Sequence, residues 1–234
     1  MSIRPLLQLL RPPNLFTVPG DPLCGALFAI HGAWSSSIVP CMVISLCAYC
    51  AGLVINDLAD YVEDLRERPA RPLPSGAVSR RTALILAIVF VAVAVSTAAC
   101  VSRPVFFATV FLLALILLYN LFAKRIPKFG PAVMGLCRGA SVNLGISAVM
   151  PVHTTNQMLP VIVITAYICV LSAAARNETS NPRIPPLIGK LIRGLLFIQA
   201  GFCAYAGGIG WAAALLLLAL WPVSRLVASR FYAS

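Results

Sequence analysis

The sequence predicts an all-α membrane protein, a bundle of about eight transmembrane helices that forms a single domain over residues 1–234. Hydrophobic residues make up 60% of the chain and charged residues only 11%, whereas soluble domains carry about 45–50% and about 25%. A spanning helix needs roughly 20 apolar residues, so eight of them occupy about 160 positions and leave short loops. The composition excludes a soluble globular protein, a disordered chain and a nucleic-acid-binding module.

Eight apolar runs, separated by short polar links, define the predicted helices. Pro19 and Pro22 are expected to bend the first helix. The two longest links, 61–81 and 176–186, carry Pro and Arg, and neither resembles a domain linker. In chain order, the predicted helices cover about 14–34, 38–60, 82–101, 104–123, 130–150, 158–175, 187–206 and 208–227.

Basic residues are distributed unevenly between the two sides of the predicted bundle. The chain has 18 Lys and Arg against 7 Asp and Glu, a net charge of +11. With the N-terminus inside, only Arg103 lies on the outer side, and Arg138 lies within the fifth helix. Because cytoplasmic loops carry the excess of Lys and Arg, this predicts cytoplasmic N- and C-termini and an even helix count. The inner basic residues are Arg4, Arg11, Arg66, Arg68, Arg71, Arg80, Arg81, Lys124, Arg125, Lys128, Arg176, Arg183, Lys190, Arg193, Arg225 and Arg230.

The acidic residues cluster at the inner end of the second helix, in the run 56–64. At 100° per residue, Asp60 lies about 60° and Asp64 about 20° from Asp57, so three carboxylates share one stripe with Asn56 at its flank. A helix C-terminus disfavours negative charge, and like charges at helical spacing repel. A cation must therefore hold the stripe together, and oxygen ligands of this kind suit Mg²⁺, which is commonly shared with substrate phosphates.

A second explanation of the acidic stripe needs no metal. Arg66, Arg68 and Arg71 follow it directly and are within reach of the carboxylates. Ionisable residues at membrane depth are, however, usually functional, and the order Asn-Asp-x-x-Asp-x-x-x-Asp is more specific than an acidic patch. The sequence therefore favours a magnesium site and leaves the ion pairs as the alternative.

Several motifs together resemble the UbiA superfamily of intramembrane prenyltransferases. Residues 56–64 resemble its first aspartate-rich motif, and Arg71-Pro72-Leu73-Pro74-Ser75-Gly76 resembles the R-P-L-P-S-G loop that follows. Arg11-Pro12-Pro13-Asn14 resembles the opening R-P-x-N of the first helix, and the run from Tyr119 to Lys124 resembles the tyrosine and lysine at the inner end of helix 4. The resemblance covers roughly residues 5–150 and is weaker beyond.

The resemblance implies an all-α bundle with a lateral opening to lipid and a polar cavity that faces the cytosol. The implied partners are a prenyl diphosphate donor bound through Mg²⁺, a hydrophobic and often aromatic small-molecule acceptor, and the lipid bilayer, with no nucleic acid. The prenyl group moves to the acceptor and diphosphate leaves. General chemistry agrees, because an allylic diphosphate needs metal and cations to stabilise the leaving group and a dry, apolar site to protect the carbocation.

The resemblance also implies a role for each candidate residue. Tyr119 would stabilise the carbocation through its ring, with an interfacial tyrosine as the alternative. Arg138 and Asn14 are candidates for binding the substrate: Arg138 would face the cavity or else extend toward the inner surface, and Asn14 would line the cavity or else cap a helix. The implied metal ligands are Asp57, Asp60 and Asp64, with Asn56 as a ligand or orienting group. The implied diphosphate contacts are Arg71, Lys124 and Arg125. The alternative role of Lys124 and Arg125 is only to set the orientation of the chain in the membrane.

The chain departs from the family's pattern after the sixth predicted helix, where a second motif, D-x-x-x-D, is expected. No Asp follows Asp64, and the matching loop offers Glu178 as its one carboxylate, beside Arg176 and Asn177. The family's usual number of helices is nine, against eight predicted here. Three explanations stay open: these loop residues do the work of the second motif, with the arginine replacing one metal; the donor or acceptor is unusual; or the chain binds or carries prenyl lipids without catalysis.

Two further interpretations rest on shorter signals. Gly135-Leu136-Cys137-Arg138-Gly139, after Gly130-Pro131, resembles a UbiA-like branch found with the Ebo gene clusters of bacteria, which are associated with export of hydrophobic secondary metabolites. A small transporter would show broken helices that meet at the membrane midplane. The polar residues of this chain are expected at the inner face instead, which disfavours a transporter.

Overall fold

All regular structure in the part of the chain that the structure describes, residues 3–150, 154–175 and 184–231 of a computed structural model, is helical. Seven of these helices are long and apolar enough to cross a membrane, which confirms the predicted all-α membrane bundle. The helices are α1 (Ile3–Leu10), α2 (Pro12–Leu15), α3 (Gly20–Ala29), α4 (Ile38–Ala59), α5 (Tyr61–Glu67), α6 (Arg80–Val101), α7 (Arg103–Leu121), α8 (Phe129–Val149), α9 (Leu159–Ala175), α10 (Ile184–Ala206) and α11 (Gly210–Phe231), with short 3-10 turns at Ala123–Arg125 and Thr155–Met158.

The first predicted span, 14–34, is divided into two helices instead of being merely bent. α2 ends at Leu15 and α3 begins at Gly20. Pro19 and Pro22 have no N–H to donate, and a proline ring also clashes with the carbonyl of the preceding turn. α3 has ten residues, a length of about 15 Å, so it does not cross a membrane by itself.

Serine caps set the starts of α6 and α7. The Ser79 hydroxyl accepts a hydrogen bond from the Thr82 backbone N–H at 3.0 Å. The Ser102 hydroxyl accepts one from the Val105 N–H at 3.4 Å. Each bond satisfies one of the N–H groups that a helix start leaves without an intrahelical partner. The Ser102 cap therefore separates α6 from α7, two apolar helices that are joined by this single residue.

α3 lies in the centre of the bundle, and nearly all of its residues are buried. Glycines let its backbone touch that of α8: a Cβ added at Gly25 would collide with the Val142 carbonyl, and one added at Gly145 would collide with the Pro22 carbonyl. Small residues allow this close approach between membrane helices. The position of α3 is therefore set by direct backbone contact with α8.

α1 packs against the end of α4 that carries the acidic run, which we call the inner end, and against the loop that follows α5. Leu9 is buried in one apolar cluster with Val54 of α4 and with Leu73 and Val78 of the loop. The N-terminal segment, the end of α4 and the 71–78 loop therefore meet at the same end of the bundle, where the acidic run also lies.

We expect Gly145→Ala to destabilise the protein by about 1–3 kcal/mol, because a methyl group at this position overpacks the contact between α3 and α8. The measurement is the free energy of unfolding in detergent. Gly201→Ala is the matched control, since Gly201 lies on α10 and a Cβ there meets nothing within 4 Å. Equal stability of the two variants would contradict the close α3–α8 contact.

Candidate functional site

The helix that carries the acidic run breaks at Asp60. α4 ends at Ala59 and α5 begins at Tyr61, with Asp60 between them at φ −91° and ψ 4°. Asp57 and Asp64 therefore lie on successive helices and not on one unbroken stripe, although both are buried at the same inner end of the bundle.

Asp57 and Asp60 each bind a cation from a distant part of the chain. Arg11 donates to Oδ1 of Asp57 at 2.9 Å. The Nζ of Lys124 lies 2.5 Å from Oδ1 of Asp60 and also donates to Oδ1 of Asn56 at 3.2 Å. The amide of Asn56 in turn faces Oδ1 of Asp57 at 3.4 Å. These four charged groups and the asparagine form one connected polar cluster.

Asp64 binds the arginines that follow it in sequence. NH1 of Arg71 donates to its Oδ2 at 2.8 Å, and NH1 of Arg68 lies 3.8 Å from its Oδ1. The ion pairs that the sequence offered as an alternative to metal are therefore present for these two arginines. Because Asp64 is only 2% exposed, pairing with Arg71 offsets the cost of burying its charge.

Arg11 is a member of the cluster that sequence reasoning did not assign to the site. Its backbone is left-handed at φ 47°, a conformation that non-glycine residues rarely adopt. This turn between α1 and α2 directs its guanidinium to Asp57. The R-P-x-N motif and the inner-side placement of Arg11 were the available signals, but they gave no indication of its partner 46 positions away.

The remaining candidates at this end occupy different surroundings. Asn14 is buried on α2, inside a helix and not at its N-cap. Tyr119 packs in an apolar cluster with Leu115 and Ile116 of its own helix. Arg125 is exposed and lines a polar cleft next to the acidic run. That cleft is lined by Ala59, Val62, Glu63, Arg66, Glu67 and Arg125.

Arg138, a candidate for contact with the substrate, lies apart from the acidic run and binds Asp21 instead. Its Nε lies 3.0 Å from Oδ2 of Asp21, and its NH2 donates to Oδ1 of the same carboxylate at 3.1 Å. Both residues are buried in the centre of the bundle. Ser141 lies one turn beyond Arg138 on α8 and is hydrogen-bonded to Ser45 of α4. Ser45 precedes Asp57 on α4 by twelve residues, or about 18 Å of helix. Arg138 therefore neither reaches the inner surface nor lines the inner polar site.

The ion pair between Asp21 and Arg138 belongs to a network around the break between α2 and α3. The carbonyl of Thr17 accepts hydrogen bonds from Arg138 at 3.1 Å and from Gln199 of α10 at 2.8 Å. Gln199 also donates to Oδ1 of Asp21 at 2.7 Å. A broken helix at membrane depth requires such partners for its exposed backbone groups. A small transporter would also show a broken helix. In this chain, however, the polar groups at the break between α2 and α3 bind side chains of neighbouring helices.

Arg176, Asn177 and Glu178, the candidates in place of the second aspartate motif, lie outside the described residues. Within the described ranges, no group of three or more His, Cys, Asp or Glu side chains is arranged to hold a metal ion. Asp57 and Asp60 are one helical turn apart and each has a second carboxylate oxygen. Mg²⁺ is usually held by one or two carboxylates together with substrate phosphates. This donor set fits a magnesium ion that binds together with a diphosphate.

The sequence matches a known protein family and named relatives from archaea. The sequence model of the UbiA prenyltransferase family matches residues 22–177. Digeranylgeranylglyceryl phosphate synthase of Natronomonas pharaonis is 29% identical over 87% of this chain and 75% of its own length. The enzyme of the same name from Methanoregula boonei is 34% identical over 70% of this chain, which spans 58% of that relative.

Solved structures share the fold. A UbiA homologue from Aeropyrum pernix K1 superimposes with a TM-score of 0.61 at 19% identity, over 94% of this chain and 90% of its own. A UbiA homologue from Archaeoglobus fulgidus, solved with DMAPP and Mg²⁺, has a TM-score of 0.56 at 20% identity, over 97% and 88%. At these identities the likeness concerns the fold alone.

We expect Asp21→Asn to destabilise the protein by about 3–5 kcal/mol, because it leaves the Arg138 charge buried without a counter-charge. The double variant Asp21→Asn, Arg138→Gln removes both charges and should recover part of this loss. The measurement is the free energy of unfolding in detergent for the two single variants and the double variant. A double-variant loss equal to the sum of the single losses would contradict direct coupling of the pair.

Proposed function

The chain belongs to the UbiA prenyltransferase family, and we propose that it transfers an isoprenyl group from a prenyl diphosphate to a hydrophobic acceptor in the membrane, with Mg²⁺. The observation that carries this proposal is the cluster of carboxylates and cations at the inner end of α4. It combines ligands for a hard metal ion with donors for phosphate oxygens, which is the pairing that ionisation of a diphosphate ester needs.

In this proposal, the residues of the cluster divide between metal and diphosphate. Asp57 and Asp60 would hold Mg²⁺, with Asn56 orienting them. Lys124 and Arg71, which bind carboxylates in the structure, would contact the diphosphate oxygens, as would Arg11 and, from the adjacent cleft, Arg125. When bound, Mg²⁺ supplies positive charge that stabilises the leaving diphosphate.

The reaction would begin with the loss of diphosphate from the prenyl chain. The allylic C–O bond breaks and its electron pair leaves with the diphosphate, which the cations retain. The allylic carbon then forms a bond to the acceptor, and the acceptor releases a proton. The ring of Tyr119 is the candidate for stabilising the positive charge that develops on the carbon. Exclusion of water by the bundle would prevent simple hydrolysis.

The prenyl chain requires an apolar space, and the bundle has one. A cavity of about 210 Å³ lies between the α2–α3 break, α4 and α11. Its lining includes Phe16, Leu23, Leu46 and Leu216. We place the prenyl chain in this cavity, where its burial would be favoured by the hydrophobic effect.

The acceptor is proposed as a hydrophobic molecule that enters from the lipid. The synthases from Natronomonas pharaonis and Methanoregula boonei are named for a glyceryl phosphate that carries two geranylgeranyl groups. A lipid phosphate therefore belongs among the acceptors to be tested, beside aromatic ones. The inner bias of the basic residues supports a site that faces the cytoplasm, with both termini on that side.

A non-catalytic protein that binds prenyl lipids on the same fold is the second candidate. Two observations favour it: the chain has no Asp after Asp64, and Asp57, Asp60 and Asp64 already bind protein cations. Such a protein would bind a prenyl diphosphate with Mg²⁺ but release no diphosphate.

The test is diphosphate release by the purified protein from geranyl, farnesyl and geranylgeranyl diphosphate, with and without Mg²⁺ and with a membrane-lipid extract as the acceptor pool. We expect Mg²⁺-dependent release that Asp57→Asn and Asp60→Asn each reduce at least about 100-fold, since each removes a proposed metal ligand.

Arg103→Gln is the control for these variants, because it removes an exposed charge at the start of α7, the end of that helix away from Lys124 and the acidic run. Full release by Asp57→Asn, or release that does not depend on Mg²⁺, would contradict the proposed metal site. Mg²⁺-dependent binding of every donor without release from any would favour the lipid-binding alternative.

A further inference from the structure

Among the residues that the structure describes, the ion pairs around the acidic run define a charge balance before any ligand binds. Three carboxylates face four cations, so the cluster carries a net charge of +1. Without the half-exposed Arg68, it is neutral. The adjacent cleft contributes two glutamates and two arginines and so adds no net charge. The members of the cluster are Asp57, Asp60 and Asp64 with Arg11, Arg68, Arg71 and Lys124.

This charge limits how many metal ions a bound diphosphate can bring. A fully ionised prenyl diphosphate carries three negative charges. With one Mg²⁺, the complex adds −1, and the occupied cluster has a total charge of zero or −1. With two Mg²⁺, the complex adds +1, and the total becomes +1 or +2. With Arg68 counted, one Mg²⁺ leaves a total charge of zero and two leave +2. Excess charge is costly in the low dielectric of a membrane protein, so the full cluster favours one ion.

The carboxylate oxygens that are available as metal ligands also indicate one Mg²⁺. Arg11 occupies one oxygen of Asp57 and Lys124 one oxygen of Asp60, and the second oxygen of each carboxylate bonds to no residue in the described part of the chain. Both oxygens of Asp64 face arginines. Two carboxylates with one available oxygen each suit a single Mg²⁺ that shares a diphosphate.

Asp64 has a different role within this arrangement, because it anchors the loop that follows α5. Arg71, its partner, begins the loop, and the Arg71 carbonyl accepts a hydrogen bond from the Ser75 N–H at 3.0 Å. The Pro72 carbonyl accepts one from the Val78 N–H at 2.9 Å. Gly76 supplies the left-handed turn at φ 75°. The ion pair therefore fixes a compact loop whose arginine lies beside the cluster.

We infer that this site holds a single Mg²⁺ with the diphosphate, bound by Asp57 and Asp60. Lys124 and Arg11 supply the positive charge that a second metal ion would bring, and Asp64 is an anchor for Arg71 and not a metal ligand. The inference rests on the proposed function and specifies its metal stoichiometry.

The experiment counts Mn²⁺ bound to the full chain in lipid nanodiscs, with saturating geranylgeranyl thiolodiphosphate, a donor analogue that resists ionisation. Bound and free Mn²⁺ are separated by their electron paramagnetic resonance signals. We expect one Mn²⁺ per chain that depends on the analogue, and its loss in Asp57→Asn. Two Mn²⁺ per chain would overturn the inference while leaving the proposed function intact.

Asp64 is tested in the same assay by Asp64→Asn and by the paired variant Asp64→Asn, Arg71→Gln, which removes both charges if the single variant unfolds. We expect each folded variant to retain one Mn²⁺ at saturation, and we expect the same of the control Arg103→Gln. Loss of the ion from a folded Asp64 variant would overturn the anchoring role. A wild-type chain that binds neither the analogue nor Mn²⁺ would overturn both the inference and the proposed function.

Discussion

Charges buried in a lipid-surrounded bundle are stable only beside opposite charges, and this constraint organises the protein at two depths. In the centre, Asp21 binds Arg138. At the inner end, Asp57, Asp60 and Asp64 bind cations that three separate segments supply. Removing one partner of a buried pair leaves an uncompensated charge, so each pair restricts how the helices that carry it can be arranged.

The N-terminal segment connects the two depths. Gln199 and Arg138 hold the carbonyl of Thr17 at the break between α2 and α3, and the chain then runs back through α2 to Arg11 at Asp57. α4 also reaches both clusters, through Ser45 near the break and Asp57 at the inner end. The central network therefore helps to set the position of a cation at the proposed reaction site.

The inner cluster suits a site whose total charge stays small both with and without its ligand. Its cations bind the carboxylates in the structure, and in the proposed function the same cations contact the diphosphate. A magnesium diphosphate brings both a cation for the carboxylates and anions for Lys124 and the arginines. Exchange of partners would keep the total charge small throughout, which is what a site at the membrane surface requires.

The sequence by itself determined the all-α class, the later spans and the composition of the acidic run, because hydrophobicity, helix length and local spacing are properties of neighbouring residues. It also indicated that Arg68 and Arg71 were within reach of the carboxylates. Only the tertiary structure decided that Arg138 binds Asp21, 117 positions away, and that Gln199 binds the same carboxylate across 178 positions. Contacts between distant helices depend on how the whole bundle packs, and no local pattern encodes them.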